Sequence, residues 1–151
     1  MPHPSNAKRS ALQADLVHAV RLFIAGSSMF SHRVADRLGL HPTDLQFLNV
    51  LELLGPLTPK LLGQYSGLSS GGVTVVLNRL EKAGYVRRRS NPNDGRSVVV
   101  AVVPARQRRV KAHYDQIEQQ FIDLLTTSPS AELETVLRFF GRMNAARTAG
   151  S

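Results

Sequence analysis

Four arginines crowd one short stretch of this chain. Arg87, Arg88 and Arg89 stand in a row, and Arg96 follows the polar run Ser90–Gly95, just before a series of valines. A guanidinium is a permanent cation with a planar fork of donors. It suits phosphates, carboxylates and the acceptor edge of guanine. A little upstream, Thr74, Val75, Asn78, Arg79 and Lys82 fall on one side of a helical wheel. On an exposed helix face Asn78 can pair with adenine through two hydrogen bonds. Arg79 can meet guanine or a phosphate, and Thr74 can hydrogen-bond either way. Val75 either packs on a thymine methyl or forms a partly buried flank. Ser69, Ser70, Gly71 and Gly72 open the same helix, where bare backbone and hydroxyls suit close approach to a phosphate. The alternative, that the glycines only relieve crowding against the preceding helix, is the less favoured one.

Charge is distributed to match. Between Arg79 and Lys111 lie Arg79, Lys82, Arg87, Arg88, Arg89, Arg96, Arg106, Arg108, Arg109 and Lys111, opposed only by Glu81 and Asp94. The excess of eight in this segment equals the formal +8 of the whole 151-residue chain. A solubilising surface would spread both signs, whereas a localised basic field suits a polyanionic partner.

Other chemistries are poorly served. Cysteine is absent, which removes disulfides, thiolate metal sites and thiol redox switching. No phosphate-binding glycine loop, nucleophile elbow or paired-histidine zinc motif is present, so neither an enzyme nor a cofactor is expected. The carboxylates Asp115, Glu118 and Asp123 follow the solvated face of a helix. His18, Arg21, His32, His41 and His113 are scattered, without metal-ligand spacing. The start, MPHPSNAKRS, carries no apolar signal core, and no apolar run is long enough to span a bilayer. The expectation is a soluble cytoplasmic protein with no membrane partner.

Periodicity supplies the elements that would position these residues. A disordered tail is expected over 1–9, then a helix from about Ser10 to Leu38 with Leu12, Leu16, Val20, Phe23 and Ile24 at helical spacing, a kink near Gly26 and a stop at Gly39. HPTDLQFLNVLELLG is a second helix, with Thr43 and Gln46 at capping-box spacing. LTPKLLGQYS is a short third, with Thr58 as cap and Pro59 in the first turn. A fourth starts at Ser69 or Ser70 and ends before Gly84; Val73, Val76, Leu77 and Leu80 face inward. Two strands flank NPNDG, whose Asp94-Gly95 predicts the hairpin turn. One long helix then covers about 105–127 and a last one about 131–147. The apolar positions Phe121, Leu133, Leu137 and Phe140, with Leu12, Leu16 and Val20, form stripes too long for one chain of this size to bury, which favours a homodimer.

Two capped helices in succession followed by a hairpin make a winged helix-turn-helix, whose second helix can lie in a DNA major groove. The stretch from Leu57 to Val103 resembles the DNA-binding core of the MarR (multiple antibiotic resistance regulator) family. The resemblance is carried by Leu80-Glu81-Lys82, by Gly84-Tyr85-Val86, by Arg88 and above all by Asp94-Gly95-Arg96. The long helices on both sides resemble the family's dimerisation segments. The implied fold is mainly α with a small β-hairpin wing, a winged helix-turn-helix (40–104) flanked by dimerisation helices (10–39 and 105–148), all in one structural domain.

That resemblance implies a homodimeric repressor of transcription that binds a pseudo-palindromic operator on double-stranded DNA and is released by a small ligand such as an aromatic acid or phenol. It places the second helix in the major groove and Arg96 toward the minor groove. It makes Asp94 a brace for the wing through arginines such as Arg88. Strand alternation agrees in setting Arg88 on the opposite face from Arg87 and Arg89, the expected phosphate contacts. The chain departs from the family pattern at Val75, where a polar residue is common, at Arg89, where an acid is common, and at VPARQRR, which replaces the usual Thr-x-x-Gly. A winged helix contacting RNA or a protein is the competing expectation.

Overall fold

The computed structural model describes residues 4–149. Its elements run α1 (Pro4–Leu38), α2 (Pro42–Leu54), α3 (Pro59–Ser66), α4 (Ser70–Lys82), β1 (Val86–Asn91), β2 (Asp94–Val102), α5 (Pro104–Lys111), α6 (Asp115–Thr127) and α7 (Ser130–Ala149). The fold is the expected one, helical with a single antiparallel hairpin. The chain divides after Pro42 into two compact units.

The first unit is essentially α1. Helix begins at Pro4, so residues 4–9 are helical where a disordered tail was expected, and residues 1–3 lie outside the described range. Proline is well placed in a first turn, and the following Ala, Lys and Arg are good helix formers. The helix continues through Gly26 without interruption and stops at Gly39, which adopts φ 66°. Along it, Leu12, Leu16 and Phe23 are exposed, each by half or more of its surface.

The second unit holds a core of Leu45, Phe47, Leu48, Leu51, Leu62, Val73, Val76, Leu77, Leu80, Val86, Val99, Val100 and Val110. The caps of α3 and α4 form where the sequence places them, whereas α2 begins at Pro42, so that Thr43 lies inside its first turn rather than at the cap. The Thr58 hydroxyl accepts from the Leu61 amide at 3.3 Å, with Pro59 in the first turn. The Ser69 hydroxyl accepts from Gly72 at 3.2 Å, so Ser69 rather than Ser70 is the cap of α4. The helices are closely set: a Cβ on Gly63 would lie 3.4 Å from the Leu68 carbonyl and from Val73 Cγ2. After α4, Gly84 at φ 74° reverses the chain, a conformation L side chains rarely adopt, and the Tyr85 amide returns to the Leu80 carbonyl at 2.9 Å.

In the hairpin Arg88 stands opposite Val100 and Ser90 opposite Val98, but Asn91 pairs with Asp94. Gly95, Arg96 and Ser97 are therefore extra residues on β2, a bulge at the tip. The tight turn is Pro92-Asn93, not Asp94-Gly95. Asn91 makes the difference. Its Oδ1 accepts from the Asn93 amide at 3.0 Å, and Pro92 already holds the φ the turn needs. At the other end of the hairpin Leu57 and Val100 exchange two backbone hydrogen bonds, 3.2 and 2.8 Å, tying the wing to the turn between α2 and α3.

The helix expected over 105–127 is two helices, broken at 112–114. His113 and Tyr114 close onto Val110 and Lys111 through short-range backbone bonds. The Tyr114 hydroxyl accepts from Asn49 Nδ2 of α2 at 3.0 Å. A tertiary anchor sets this break, which no glycine or proline marks. Beyond it α6 buries none of its residues, and Phe121, Leu137 and Phe140 are exposed, with Leu133 half-buried.

Candidate nucleic-acid interface

Helix α4 is two-faced. Val73, Val76, Leu77 and Leu80 are buried, while Thr74, Val75, Asn78, Arg79 and Lys82 are exposed. Val75 is 59% exposed, which removes the partly buried flank as its explanation. The Thr74 hydroxyl donates to the Ser70 carbonyl at 2.9 Å, leaving its oxygen to accept from outside. Gly71 is open: a Cβ there would come no closer than 4.0 Å to anything, the Ser69 hydroxyl being nearest. Nothing inside the protein needs this residue to be glycine, so crowding against α3 does not explain it.

Arg79 behaves differently from its neighbours. Its Nε donates to Asp44 Oδ2 at 2.8 Å and its Nη2 to Asp44 Oδ1 at 2.5 Å, a two-pronged pair. Asp44 is 2% exposed, on α2. The hydrogen bond to Asp44, ahead of simple attraction, raises the guanidinium pKa above its ordinary value, so Arg79 stays charged at any working pH. The fork expected to meet guanine or a phosphate is thus occupied, through Nε and Nη2, by a carboxylate of the protein's own core.

Arg88 is also committed, though not to Asp94. Nη1 pairs with Glu81 Oε2, its backbone amide donates to Glu81 Oε1 at 3.3 Å, and Nη2 donates to Asn78 Oδ1 at 2.8 Å. Arg88 sits opposite Val100, whereas Asp94 lies at the tip opposite Asn91. That is three residues along the hairpin, roughly 10 Å. Glu81, one helical turn from Asn78, is nearer. Asp94 works within the tip instead. Its Oδ1 accepts from the Arg96 amide at 3.1 Å, its carbonyl accepts from the Ser97 hydroxyl at 3.1 Å, and Asn91 Nδ2 donates to that same hydroxyl at 2.9 Å. The backbone carrying Arg96 is held while its side chain remains outside. Arg87, Arg89 and Arg96 are exposed and make no ion pair among the described residues. Further along, Arg106 lies over the Tyr85 ring, 5.3 Å from its centre.

The structure thus brings Thr74, Val75 and Asn78 together on one helix face. It separates the four hairpin arginines into one that is tied and three that are not. Asp44, Glu81, Asn91 and Ser97 are the contributors that sequence reasoning missed. An acid in the first turn of α2, directly before Leu45, was the available signal for Asp44. Of the histidines, His32 Nδ1 is hydrogen-bonded to the Ser28 carbonyl of its own helix at 2.8 Å, His18 and His41 are exposed like Arg21, and His113 lies half-buried at the α5–α6 break. No group of three potential metal ligands occurs among the described residues.

Comparison with known proteins agrees with this geometry. The family model described as MarR family matches residues 38–97, from the end of α1 through the wing tip. Over 134 residues the chain is 37% identical to YcgE, an uncharacterized HTH-type transcriptional regulator of Bacillus subtilis, spanning 89% of this chain and 87% of that one. The chain belongs to the MarR family. Its members are transcriptional regulators rather than enzymes. The fold of this MarR-family chain is shared with a MarR family protein from Bacillus stearothermophilus, at TM-score 0.68 and 17% identity over 92% of this chain and 97% of the other. It is also shared with wild-type MarR of E. coli in its apo form, at 0.58 and 19% over 85% and 96%. A third example is a mutant of S. aureus MepR bound to an oligodeoxyribonucleotide, at 0.56 and 14% over 87% and 96%.

Proposed function

We propose that this DNA-binding regulator acts as a homodimeric repressor, recognises a pseudo-palindromic operator on double-stranded DNA, and is released by a small ligand of the aromatic-acid or phenol type. The observation that carries the DNA site is the union of an exposed reading face on α4 with a wing whose Arg87, Arg89 and Arg96 have no ion-pair partner among the described residues, in the segment that holds the chain's whole excess of positive charge. In this reading α4 enters the major groove and Thr74, Val75 and Asn78 meet base edges. The open backbone at Gly71, with Ser69 and Ser70, approaches a phosphate. Arg87 and Arg89 meet the backbone, and Arg96 enters the minor groove, where a narrow A·T-rich tract concentrates negative potential. Arg79 holds the helix in place more than it reads.

The homodimer is supported by apolar side chains that one chain leaves in water: Leu12, Leu16 and Phe23 on α1, and Phe121, Leu137 and Phe140 on α6 and α7. Exposed apolar surface on this scale is ordinarily covered by association. Two copies related by a two-fold axis would place their reading helices about 34 Å apart, one helical turn of DNA.

The test is fluorescence anisotropy with duplexes flanking the protein's own gene, with and without a panel of aromatic acids, alongside the mass in solution by light scattering. The expected result is a dimer that binds one flanking duplex at least a hundredfold more tightly than random DNA, and that one of the acids releases. A monomer, or equal affinity for all duplexes, overturns the reading. Preferential binding to RNA would replace it with the competing one.

A further inference from the structure

The contact between Arg88 and Asn78 fixes more than the position of a side chain. A guanidinium has donors and no acceptor. The end of the Asn78 amide that faces Arg88 Nη2 at 2.8 Å is therefore the carbonyl, and the amino end is turned away from the wing. Pairing with adenine requires both ends together, the carbonyl accepting from N6 and the amino group donating to N7. Guanine presents two acceptors there, N7 and O6, and asks only for donors.

Arg88 is itself held. Glu81 takes both its Nη1 and its backbone amide, and its strand partner Val100 is buried and doubly bonded to Leu57. Asn78 and Glu81 lie one turn apart on the same side of α4, so one arginine reaches both. Arg87 and Arg89 project from the other face of β1 and cannot substitute.

We propose that Arg88 is a specificity-determining positioning residue: by holding the Asn78 carbonyl toward the wing it presents Asn78 to the major groove as a donor, so that Asn78 selects guanine over adenine. This rests on the reading that α4 lies in the major groove. It makes the wing strand a determinant of a base that the strand does not touch.

The experiment is selection from a randomised duplex library by the full-length wild type, Arg88→Lys, Asn78→Ala and the double variant, with melting temperatures recorded for each. Lysine keeps the charge and can still pair with Glu81, but it has no second arm for Asn78. The wild type should select guanine at one position of each half-site. Arg88→Lys should lower the guanine-to-adenine ratio at that position by about tenfold, within the range of a single base contact, and leave the other positions unchanged. Asn78→Ala should flatten the position, and the double variant should match Asn78→Ala. In the free proteins, the Asn78 side-chain amide resonances should move on Arg88→Lys. If Arg88→Lys keeps the wild-type profile while Asn78→Ala flattens the position, the proposal is wrong and the major-groove reading stands. An unchanged profile for Asn78→Ala, or a loss spread over all positions for Arg88→Lys, also overturns it. Failure of the wild type to select any sequence overturns the DNA reading and the proposal together.

Discussion

The base and the tip of the hairpin carry the same residue type to opposite ends. At the base, Arg88 is tied to Glu81 and Asn78 of α4 at the surface. At the tip, Arg96 rides on a bulge whose hydrogen bonds, from Asp94, Asn91 and Ser97, hold its backbone and leave the guanidinium outside. The difference lies in what is within reach. Glu81 takes both the amide and the guanidinium of Arg88, which becomes a strut, whereas Asp94 takes only the amide of Arg96 and leaves its guanidinium for an external anion. Arg79 belongs with Arg88, since its carboxylate, Asp44, is buried. Among the described residues Arg87 and Arg89 belong with Arg96.

That division can be broken by single substitutions. The largest effect is expected from Arg79→Met, which strands the Asp44 carboxylate in the core. An unpaired buried charge costs about 3–5 kcal/mol; with Arg79 itself half-exposed, about 2–4 is expected here. That corresponds to a melting temperature lower by roughly 5–15 °C in a chain of this size. A change under about 2 °C by calorimetry would show that the pair is no strut. Arg96→Ala comes next and should act only on DNA. A lost contact of about 1–3 kcal/mol weakens specific binding roughly 5- to 150-fold, with the melting temperature unmoved. A destabilised Arg96→Ala protein would erase the contrast between tip and base.

Asp94→Ala sharpens the same contrast from the side of the support. It removes the acceptor for the Arg96 amide, worth about 0.5–1.5 kcal/mol in the folded state. Specific affinity should fall by a smaller factor than for Arg96→Ala, and adding Arg96→Ala should produce little further loss. Strictly additive losses in anisotropy titrations would show that Asp94 does not act through Arg96. The smallest of these expected effects is the loss of stability in Arg88→Ala. Its pair with Glu81 is partly exposed, so about 0–1 kcal/mol is expected, read as a shift of no more than a few degrees.

Much of this arrangement is legible in the sequence. Thr58, Pro59 and Ser69 mark two helix starts through local chemistry, and the spacing of Val73, Val76, Leu77 and Leu80 defines the buried face of α4 and hence its outward one. What stays hidden is set by contacts distant in sequence. Asp44 and Arg79 are 35 residues apart, and Asn49 and Tyr114, which mark the α5–α6 break, are 65 apart. The wing turn departs from expectation for a local reason: Asp94-Gly95 is the stronger turn dipeptide in isolation, but Asn91 and Pro92 have already closed the loop. Pairing Arg88 with Asp94 treats the hairpin as a unit by itself. The true partners of Arg88 lie on the preceding helix, across the Gly84 reversal that sequence spacing alone does not orient.

The central claim is that Arg96 neutralises charge on the nucleic acid and Arg88 does not. It is tested most directly by the salt dependence of binding to one specific duplex for the wild type, Arg96→Ala and Arg88→Ala. Each phosphate charge neutralised adds about 0.9 to the slope of log affinity against log salt. Arg96→Ala should reduce the slope by about one per subunit, and Arg88→Ala should leave it at the wild-type value. Equal reductions for the two variants, or a reduction for Arg88→Ala alone, would contradict the account.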